Sequence, residues 1–169
     1  MNKFYLAGGC FWCISDYFLM QEGVEDTNVG YSGGEERNAT YEMVKAQKTN
    51  HRESVEVIYD ENVISLEKLL DLYFVYVDVL DEGGQGIDRG RSYSLALYYQ
   101  NEEERILFEN RKKQEEEKLG SSIAIAIEPF RFFVIAEKEH QHFSLNNPEA
   151  FEEELKASGR LEHLESKKK

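Results

Sequence analysis

The sequence contains few of the residues that mark disulfide-stapled, zinc-binding or membrane-spanning proteins. Only 2 of its 169 residues are cysteine, and a chain of this length can bury a core without disulfides. The 4 histidines form no second ligand pair, whereas a closed structural zinc site needs four ligands. No apolar run approaches the roughly 18–20 residues of a membrane helix. These three classes of protein are therefore not expected.

Positive charge is also scarce. The chain carries 20 Lys and Arg against 33 Asp and Glu, a formal net charge of −13. Because this charge repels phosphate backbones and anionic lipids, neither nucleic acid nor a membrane is an expected partner. Gly8, Gly9 and the cysteines interrupt the apolar patch near the N-terminus, so no signal peptide is predicted. We expect a cytoplasmic protein, in which a cysteine pair is more often catalytic or metal-binding than structural.

The hydrophobic pattern predicts strands and helices that mix without strict alternation. Strands are predicted at residues 3–7, 24–31, 53–60, 93–99, 123–127 and 131–137. Helices are predicted at residues 10–22, 66–77, 101–119 and 147–159, with N-caps at Ser65 and Asn147 and glycines after the last turns at 120 and 159. We therefore expect an α+β fold: a two-layer sandwich with a mixed, mostly antiparallel sheet, a ferredoxin-like split βαβ core and irregular loops.

Two segments between these elements lack a clear period. Residues 35–52 predict a polar loop with a short helical turn. Residues 81–92 contain four glycines and predict a long irregular loop, a type of segment that is often functional in a compact domain. We expect one domain over residues 1–160 and a frayed, charged tail at residues 161–169.

Both cysteines lie in the stretch AGGCFWC, from Ala7 to Cys13. Residues three apart on a helix share one face, roughly 5–6 Å apart, so Cys10 and Cys13 can close a disulfide with little backbone movement. The predicted helix begins at Cys10, and a helix N-terminus stabilises a thiolate. The spacing therefore suits a dithiol that cycles between reduced and oxidised forms.

The residues alone leave other interpretations of the pair open. The two thiols could pack as small hydrophobic side chains, or bind Cu(I) in a soft-metal carrier, although the bulky Phe11 and Trp12 argue mildly against a metal. The pair could also belong to a general disulfide oxidoreductase of the thioredoxin kind. Against that reading, the motif lies near the N-terminus, and neither Pro129 nor Pro148 follows in an obvious place beside it.

Six stretches, in order along the chain, resemble motifs of the type A peptide methionine sulfoxide reductases. GCFWC (residues 9–13) resembles the active-site motif, GYSGG (30–34) resembles GY-x-GG, and NATYE (38–42) resembles NPTYE. NHRESVEVIYD (50–60) resembles GHAE-x-V-x-V-x-YD, QGIDRGRSYS (85–94) resembles QG-x-D-x-G-x-QYRS, and AEKEHQ (136–141) resembles AE-x-YHQ. The chain is identified as a divergent member of this family, with the resemblance covering roughly residues 3–143.

The resemblance implies an enzyme without a bound cofactor that reduces methionine S-sulfoxide, in peptides and possibly free. It implies that Cys10 attacks the substrate, that Cys13 then closes a disulfide with it, and that an external dithiol, thioredoxin, restores both thiols. The other implied site residues are Phe11 and Trp12 as the pocket for the substrate methyl group, Glu53 as the acid, Tyr41 and Tyr93 as hydroxyl donors, and Asp88 as a supporting carboxylate. His140 is interpreted as structural, and the enzyme is expected to be a monomer.

These residue types suit the reduction of a sulfoxide. Its sulfur is a poor electrophile until its oxygen is hydrogen-bonded or protonated, and a buried carboxylic acid has the raised pKa that keeps it neutral and able to donate. Two hydroxyls can stabilise the same oxygen. A sulfenic acid formed on Cys10 would condense with Cys13 to a disulfide.

The chain departs from the family motifs at four places. Ala39 replaces Pro, residues 50–52 (Asn-His-Arg) replace Gly-His-Ala, residues 77–80 lack His-Asp-Pro, and residues 91–94 (Arg-Ser-Tyr-Ser) replace Thr-Gln-Tyr-Arg. The implied reacting residues are all present. We therefore expect the reaction to be retained and the loops near the substrate to differ in shape.

Overall fold

The computed structural model of the chain describes residues 1–157, so Gly159 and the predicted tail at 161–169 lie outside the described residues. Eight strands lie within them: β1 (Asn2–Gly8), β2 (Val24–Ser32), β3 (Arg52–Tyr59), β4 (Gly84–Gln85), β5 (Asp88–Arg89), β6 (Leu95–Tyr99), β7 (Ile125–Pro129) and β8 (Val134–Ile135). The α-helices of the same residues are α1 (Phe11–Leu19), α2 (Tyr41–Lys45), α3 (Leu66–Tyr76), α4 (Glu102–Leu119), α5 (Phe143–Asn146) and α6 (Pro148–Ala157). None of them is long and apolar enough to cross a lipid bilayer.

Six of the strands form one sheet in the order β7-β6-β1-β3-β2-β8. Every pair of adjacent strands in this sheet is antiparallel except β6 and β7, which run parallel and are connected by α4. Strands β1 and β2 flank β3, and strands β3 and β6 flank β1, so the units β1–α1–β2 and β3–α3–β6 interlock. This is the split βαβ core, and the predicted α+β class with a mixed, mostly antiparallel sheet is confirmed.

The two faces of the sheet carry different side chains, because successive residues of a strand point to opposite faces. On one face, Phe4 and Leu6 of β1 pack with residues of α1, α3 and α4 in the main core. On the other face, Tyr5 and Ala7 join Tyr98 in a smaller cluster. The segment after β7 covers that second face, where Phe130 stacks on Tyr5 with 3.9 Å between ring centroids.

Capping residues explain where the longer helices begin and end. The Ser65 side chain accepts a hydrogen bond from Lys68 N at 3.1 Å, as its predicted N-cap position requires. Asn101 does the same for α4, accepting from Glu104 N at 2.9 Å. Gly120 ends α4 in the left-handed region at φ +67°, which glycine adopts without strain.

The structure corrects the predictions in three segments. Residues 81–92, predicted as irregular, contain the β4–β5 hairpin and a 3₁₀ turn at Arg91–Tyr93, so Tyr93 precedes the strand in which it was predicted. The strand predicted at residues 131–137 is limited to Val134–Ile135. Phe132 and Phe133 before it contact the rings of His51 and Tyr5. Helix α1 ends at Leu19, three residues before its predicted end.

Candidate active site

The two cysteines lie on the first turn of α1, directly after the central strand β1. Two glycines let the chain turn from β1 into α1. A Cβ at Gly8 would overlap the Ile14 side chain of α1, and Gly9 has φ +87°. Cys10 occupies the N-cap position of α1, and Cys13 follows three residues later. Both side chains are buried, with 6% and 4% of their surface exposed, and both are free thiols.

The expectation that the helix N-terminus favours a Cys10 thiolate is corrected by the surroundings of the thiol. The hydrogen bond with Cys13 and burial raise the pKa of Cys10 well above its ordinary value, and the carboxyls of Glu53 and Asp88 raise it further. The helix dipole acts in the opposite direction and contributes typically only ~0.3–1 kcal/mol. Without substrate, Cys10 is therefore a protonated thiol.

An aromatic cluster, formed by Phe11, Trp12, Tyr41, His140 and Phe143, lies beside Cys10. The Trp12 ring stacks on Phe143 at 4.0 Å between centroids, and Tyr41 stacks on His140 at 4.2 Å. Trp12 Nε1–H donates to His140 Nδ1 at 3.2 Å, so this histidine holds the indole of a predicted pocket residue. Phe11 is fully buried and contacts the rings of both Trp12 and Tyr41.

Glu53 is a buried acid. Only 1% of its surface is exposed, and Oε1 accepts a hydrogen bond from Phe11 N at 3.2 Å. Oε2 makes no hydrogen bond within 3.5 Å, although the Tyr93 hydroxyl acts on the carboxyl as a hydrogen-bond donor. Burial raises the pKa of Glu53 to about 8 and the charge of Asp88 adds to the rise, although Phe11 N, the Tyr93 hydroxyl and Lys45 partly oppose it. The carboxyl is therefore largely neutral at pH 7 and can donate a proton to a ligand.

The two predicted hydroxyl donors come from different elements around Glu53. Tyr41 is the first residue of α2, and its backbone N–H donates to Glu137 Oε2 at 3.1 Å. Tyr93 ends the 3₁₀ turn before β6 and lies close enough to Glu53 to affect its pKa. Asp88 belongs to the β4–β5 hairpin and lies close enough to raise the pKa of both Glu53 and Cys10. The structure therefore brings all the predicted site residues into one region.

Sequence reasoning missed three residues that hold this region together. Tyr31 is fully buried, lies 5.9 Å from the Phe11 ring and donates its hydroxyl proton to Glu137 Oε1 at 2.9 Å. Gln141 pairs with both backbone groups of Val29 at 2.8 Å, which fixes the segment carrying His140 to β2. Glu137, which accepts from Tyr31, is the third. Tyr31 lies in the motif GYSGG, and Glu137 and Gln141 lie in AEKEHQ, but only their contacts show their roles.

Two of the departures from the family motifs contact each other. Arg52, where the motif has Ala, donates from Nε to the hydroxyl of Ser94 at 2.8 Å, where the motif has Arg. Among residues 1–157, no group of three or more His, Cys, Asp or Glu side chains is arranged to hold a metal ion.

Comparison with known proteins identifies the family of this site. The sequence matches the family profile described as peptide methionine sulfoxide reductase over residues 2–169. The protein named peptide methionine sulfoxide reductase MsrA from Halalkalibacterium halodurans is 41% identical over 166 residues, which cover 97% of this chain and 94% of that protein. The chain belongs to the peptide methionine sulfoxide reductase family. It is thus an oxidoreductase that reduces methionine sulfoxide, as the six motifs predicted.

Solved structures show the same fold as this reductase. Reduced Mxr1 from Saccharomyces cerevisiae superposes with a TM-score of 0.82 at 30% identity, covering 87% of this chain and 86% of Mxr1. Mxr1 in complex with Trx2 superposes with a TM-score of 0.56 at 23% identity, covering 84% of each chain. The second comparison shows the shared fold alone.

The raised pKa of Glu53 makes the stability of this reductase fall as pH rises. The unfolded chain releases this proton near pH ~4.3, whereas the folded chain retains it up to about pH 8, so the folded state binds more protons between these values. Glu53→Gln, which cannot ionise, should therefore be more stable than the wild type at pH 8.5, by on the order of 3–5 kcal/mol. The difference should shrink toward pH 5.

Urea unfolding of both proteins at pH 5.0, 6.5 and 8.5 measures this difference. Glu117→Gln, at an exposed position of α4, is the matched control and should follow the wild type at every pH. A constant difference between wild type and Glu53→Gln would show that Glu53 ionises normally.

Proposed function

We propose that this reductase converts methionine S-sulfoxide in peptides to methionine, with Cys10 as the nucleophile and Glu53 as the acid. The observation that carries this assignment is the fully buried, neutral carboxyl of Glu53 close to the Cys10 thiol, with no hydrogen bond within 3.5 Å of Oε2. A buried polar atom with poor hydrogen bonding is costly, and the oxygen of a bound sulfoxide would supply a close partner beside the Tyr93 hydroxyl. Free methionine sulfoxide is a further substrate in this proposal.

The first half of the proposed reaction oxidises Cys10 to a sulfenic acid. Glu53 donates its proton to the sulfoxide oxygen, which makes the substrate sulfur electrophilic, and the Cys10 thiol attacks while its own proton restores the carboxyl. This attack forms a sulfur–sulfur bond between Cys10 and the substrate, and the oxygen leaves as water with a second proton from Glu53. Water then attacks the Cys10 sulfur and returns a proton to Glu53, the sulfur–sulfur bond breaks, and Cys10 is left as a sulfenic acid. The sulfoxide sulfur is thereby reduced by two electrons, the Cys10 sulfur is oxidised by two, and methionine is released.

The aromatic cluster and the tyrosines have separate roles in this scheme. Phe11 and Trp12 receive the methyl group, and a sulfur–ring contact contributes about 0.3–1.5 kcal/mol. The hydroxyls of Tyr41 and Tyr93 donate hydrogen bonds to the sulfoxide oxygen as it gains negative charge. Burial raises the pKa of Tyr93 above the ordinary value for tyrosine, so the hydroxyl keeps its proton at neutral pH and can donate it in a hydrogen bond. Asp88 supports the protonated state of Glu53 by its charge.

The second half of the proposed reaction regenerates the thiol. The Cys13 thiol attacks the sulfenic acid sulfur, water leaves, and a Cys10–Cys13 disulfide forms. An external dithiol then reduces this disulfide and is itself oxidised. We propose thioredoxin as this dithiol, which agrees with the Mxr1 structure solved with Trx2, and no bound cofactor is needed.

We propose that the enzyme acts as a monomer in the cytoplasm. All residues named in the scheme come from one chain, so a second copy need not complete the site. The net charge of −13 disfavours binding to nucleic acid or anionic membranes. The cytoplasm also contains the dithiols that return a disulfide to two thiols.

Separated epimers of dabsyl-methionine sulfoxide test the proposed substrate directly. With dithiothreitol as the reductant, the S epimer should be converted to dabsyl-methionine over many turnovers, as measured by HPLC, and the R epimer should remain. Equal conversion of both epimers would contradict the proposed stereochemistry. Failure to convert either epimer, while the enzyme reduces insulin disulfides, would instead favour a general disulfide oxidoreductase.

A further inference from the structure

The turn that carries Tyr93 is held by side-chain hydrogen bonds to residues 47–52, just before the acid. Arg91 Nε donates to Asn50 O at 2.9 Å. The Gln47 side chain makes two bonds to Ser92, with Nε2 donating to Oγ at 2.7 Å and Oε1 accepting from N at 3.2 Å. Gln47 makes these bonds with φ +60°, in the left-handed region that is uncommon for residues other than glycine. This strain is tolerated where the surrounding contacts hold the residue in place.

Arg52 makes the remaining contact with this turn. It precedes Glu53 in β3, so the two side chains lie on opposite faces of the strand. Its side chain is 4% exposed, and Nε donates to Ser94 Oγ at 2.8 Å. The other end of the guanidinium forms a bidentate pair with Glu128, at 3.1 and 3.3 Å, and donates to the Tyr98 hydroxyl at 3.2 Å. Arg52 therefore connects β3 with β6 and β7 and holds the residue that immediately follows Tyr93.

A buried charge with this many contacts is held in one geometry. The Glu128 carboxylate compensates the guanidinium, and the planar group is oriented by four separate hydrogen bonds. The Ser94 hydroxyl, which accepts from Arg52, also donates to Arg91 O at 2.7 Å and so links Arg52 to the start of the turn. The backbone on both sides of Tyr93 is thus fixed relative to β3, the strand that carries Glu53.

We propose that Arg52 is a positioning residue that, through Ser94, sets the Tyr93 hydroxyl at the substrate oxygen beside Glu53. This inference rests on the proposed function and adds a residue to it that does not touch the substrate. A side chain that only stabilised the fold would affect the amount of folded enzyme. A positioning residue also affects the rate of the chemical step in enzyme that is folded.

Arg52→Lys removes the contact with Ser94 and keeps the positive charge. Lysine has a methylene where arginine has Nε–H, so the Ser94 bond is lost, and its single ammonium also weakens the bidentate pairing with Glu128 and the bond to Tyr98. The single-turnover rate of methionine formation should fall about tenfold, because small misplacements of reacting groups are costly. The KM should change little, and because the weakened buried pair with Glu128 lowers thermal stability, the rate is measured per folded enzyme. Ser94→Ala removes the other partner of this bond and should give a similar loss.

Two double variants distinguish positioning from a general structural role. Arg52→Lys combined with Ser94→Ala should be no slower than the slower single variant, since both remove the same bond. Arg52→Lys in a Tyr93→Phe background should cause no further loss, because the hydroxyl it sets is already gone. Arg111→Lys is the matched control, since its Nε contacts Glu115 at 3.1 Å and its guanidinium pairs with Asp71 between α3 and α4; its rate should equal that of the wild type.

Other outcomes would overturn the inference. Wild-type single-turnover rates in Arg52→Lys and Ser94→Ala would remove Arg52 from the mechanism. A tenfold loss that persisted in full in the Tyr93→Phe background would show that Arg52 acts by another route. An inactive wild-type enzyme would overturn the proposed function itself, which distinguishes that failure from a failure of the Arg52 role.

Discussion

Replacement of Cys10 by serine is expected to abolish turnover, lowering the rate by roughly 10⁴-fold or more, as is typical when a covalent nucleophile is removed. A serine hydroxyl is a poor nucleophile at neutral pH, and it cannot be oxidised to a sulfenic acid. The change is small in volume at a buried helix N-cap, so the fold should be retained. HPLC of methionine formation with saturating reductant measures the loss.

Cys13→Ser is the matched control for this variant, because it alters the other buried thiol of the same turn. It should release about one equivalent of methionine per chain and then stop in the presence of thioredoxin, since no second thiol closes the disulfide. The two serine variants should therefore differ at the first turnover. Multiple turnovers by Cys10→Ser at the wild-type rate would contradict the assignment of Cys10 as the nucleophile.

Glu53→Gln is expected to slow the chemical step by roughly 10²–10³-fold while leaving substrate binding largely intact. The amide retains an oxygen that can accept from Phe11 N, as Oε1 does at 3.2 Å, but it has no acidic proton for the sulfoxide oxygen. The sulfur of the substrate would then remain a poor electrophile. Rapid-quench measurement of single turnovers, with substrate affinity determined from the concentration dependence, separates the two effects.

Two further measurements define what this loss means. Glu117→Gln on α4, which is exposed, should react at the wild-type rate. An unchanged single-turnover rate in Glu53→Gln would remove Glu53 from the role of acid. A large loss of substrate affinity with a normal chemical rate would assign Glu53 to binding instead. The predicted pattern is a loss in the chemical rate alone.

Local signals in the sequence predicted most of the secondary structure. Ser65 and Gly120 cap α3 and α4 at the predicted positions, and α4 begins directly after Asn101, within one residue of its predicted start. The alternation in β3 and the spacing of apolar residues in α3 predicted their type and approximate bounds. Such signals depend on residues within one or two turns of each other, which is why they can be seen without the fold.

Elements held by distant contacts could not be predicted in the same way. The β4–β5 hairpin has two residues in each strand and no periodicity. Phe130, just after β7, stacks on Tyr5, which is more than one hundred residues away along the chain. Trp12 and His140 are likewise separated by 128 residues. Their hydrogen bond follows from the fold and from no local pattern.

The electrostatics of the site depend on the same long-range contacts. The helix N-terminus alone predicted a favoured thiolate at Cys10, and this was wrong because Cys13, burial and two carboxyls raise the pKa of the thiol. The resemblance implied the acid role of Glu53 and burial was expected to raise its pKa, and the structure buries the carboxyl and raises its pKa to about 8. The residue types were readable from the sequence, whereas their protonation states required the packed structure.

The most direct test of the proposed mechanism is a single turnover without reductant. Reduced enzyme, freed of small thiols, is mixed with one equivalent of dabsyl-methionine S-sulfoxide and quenched in acid. The products are quantified by HPLC and the disulfides located by peptide mapping. The mechanism predicts one methionine per chain, loss of both thiols and a Cys10–Cys13 disulfide. Formation of methionine while both thiols remain free would contradict it.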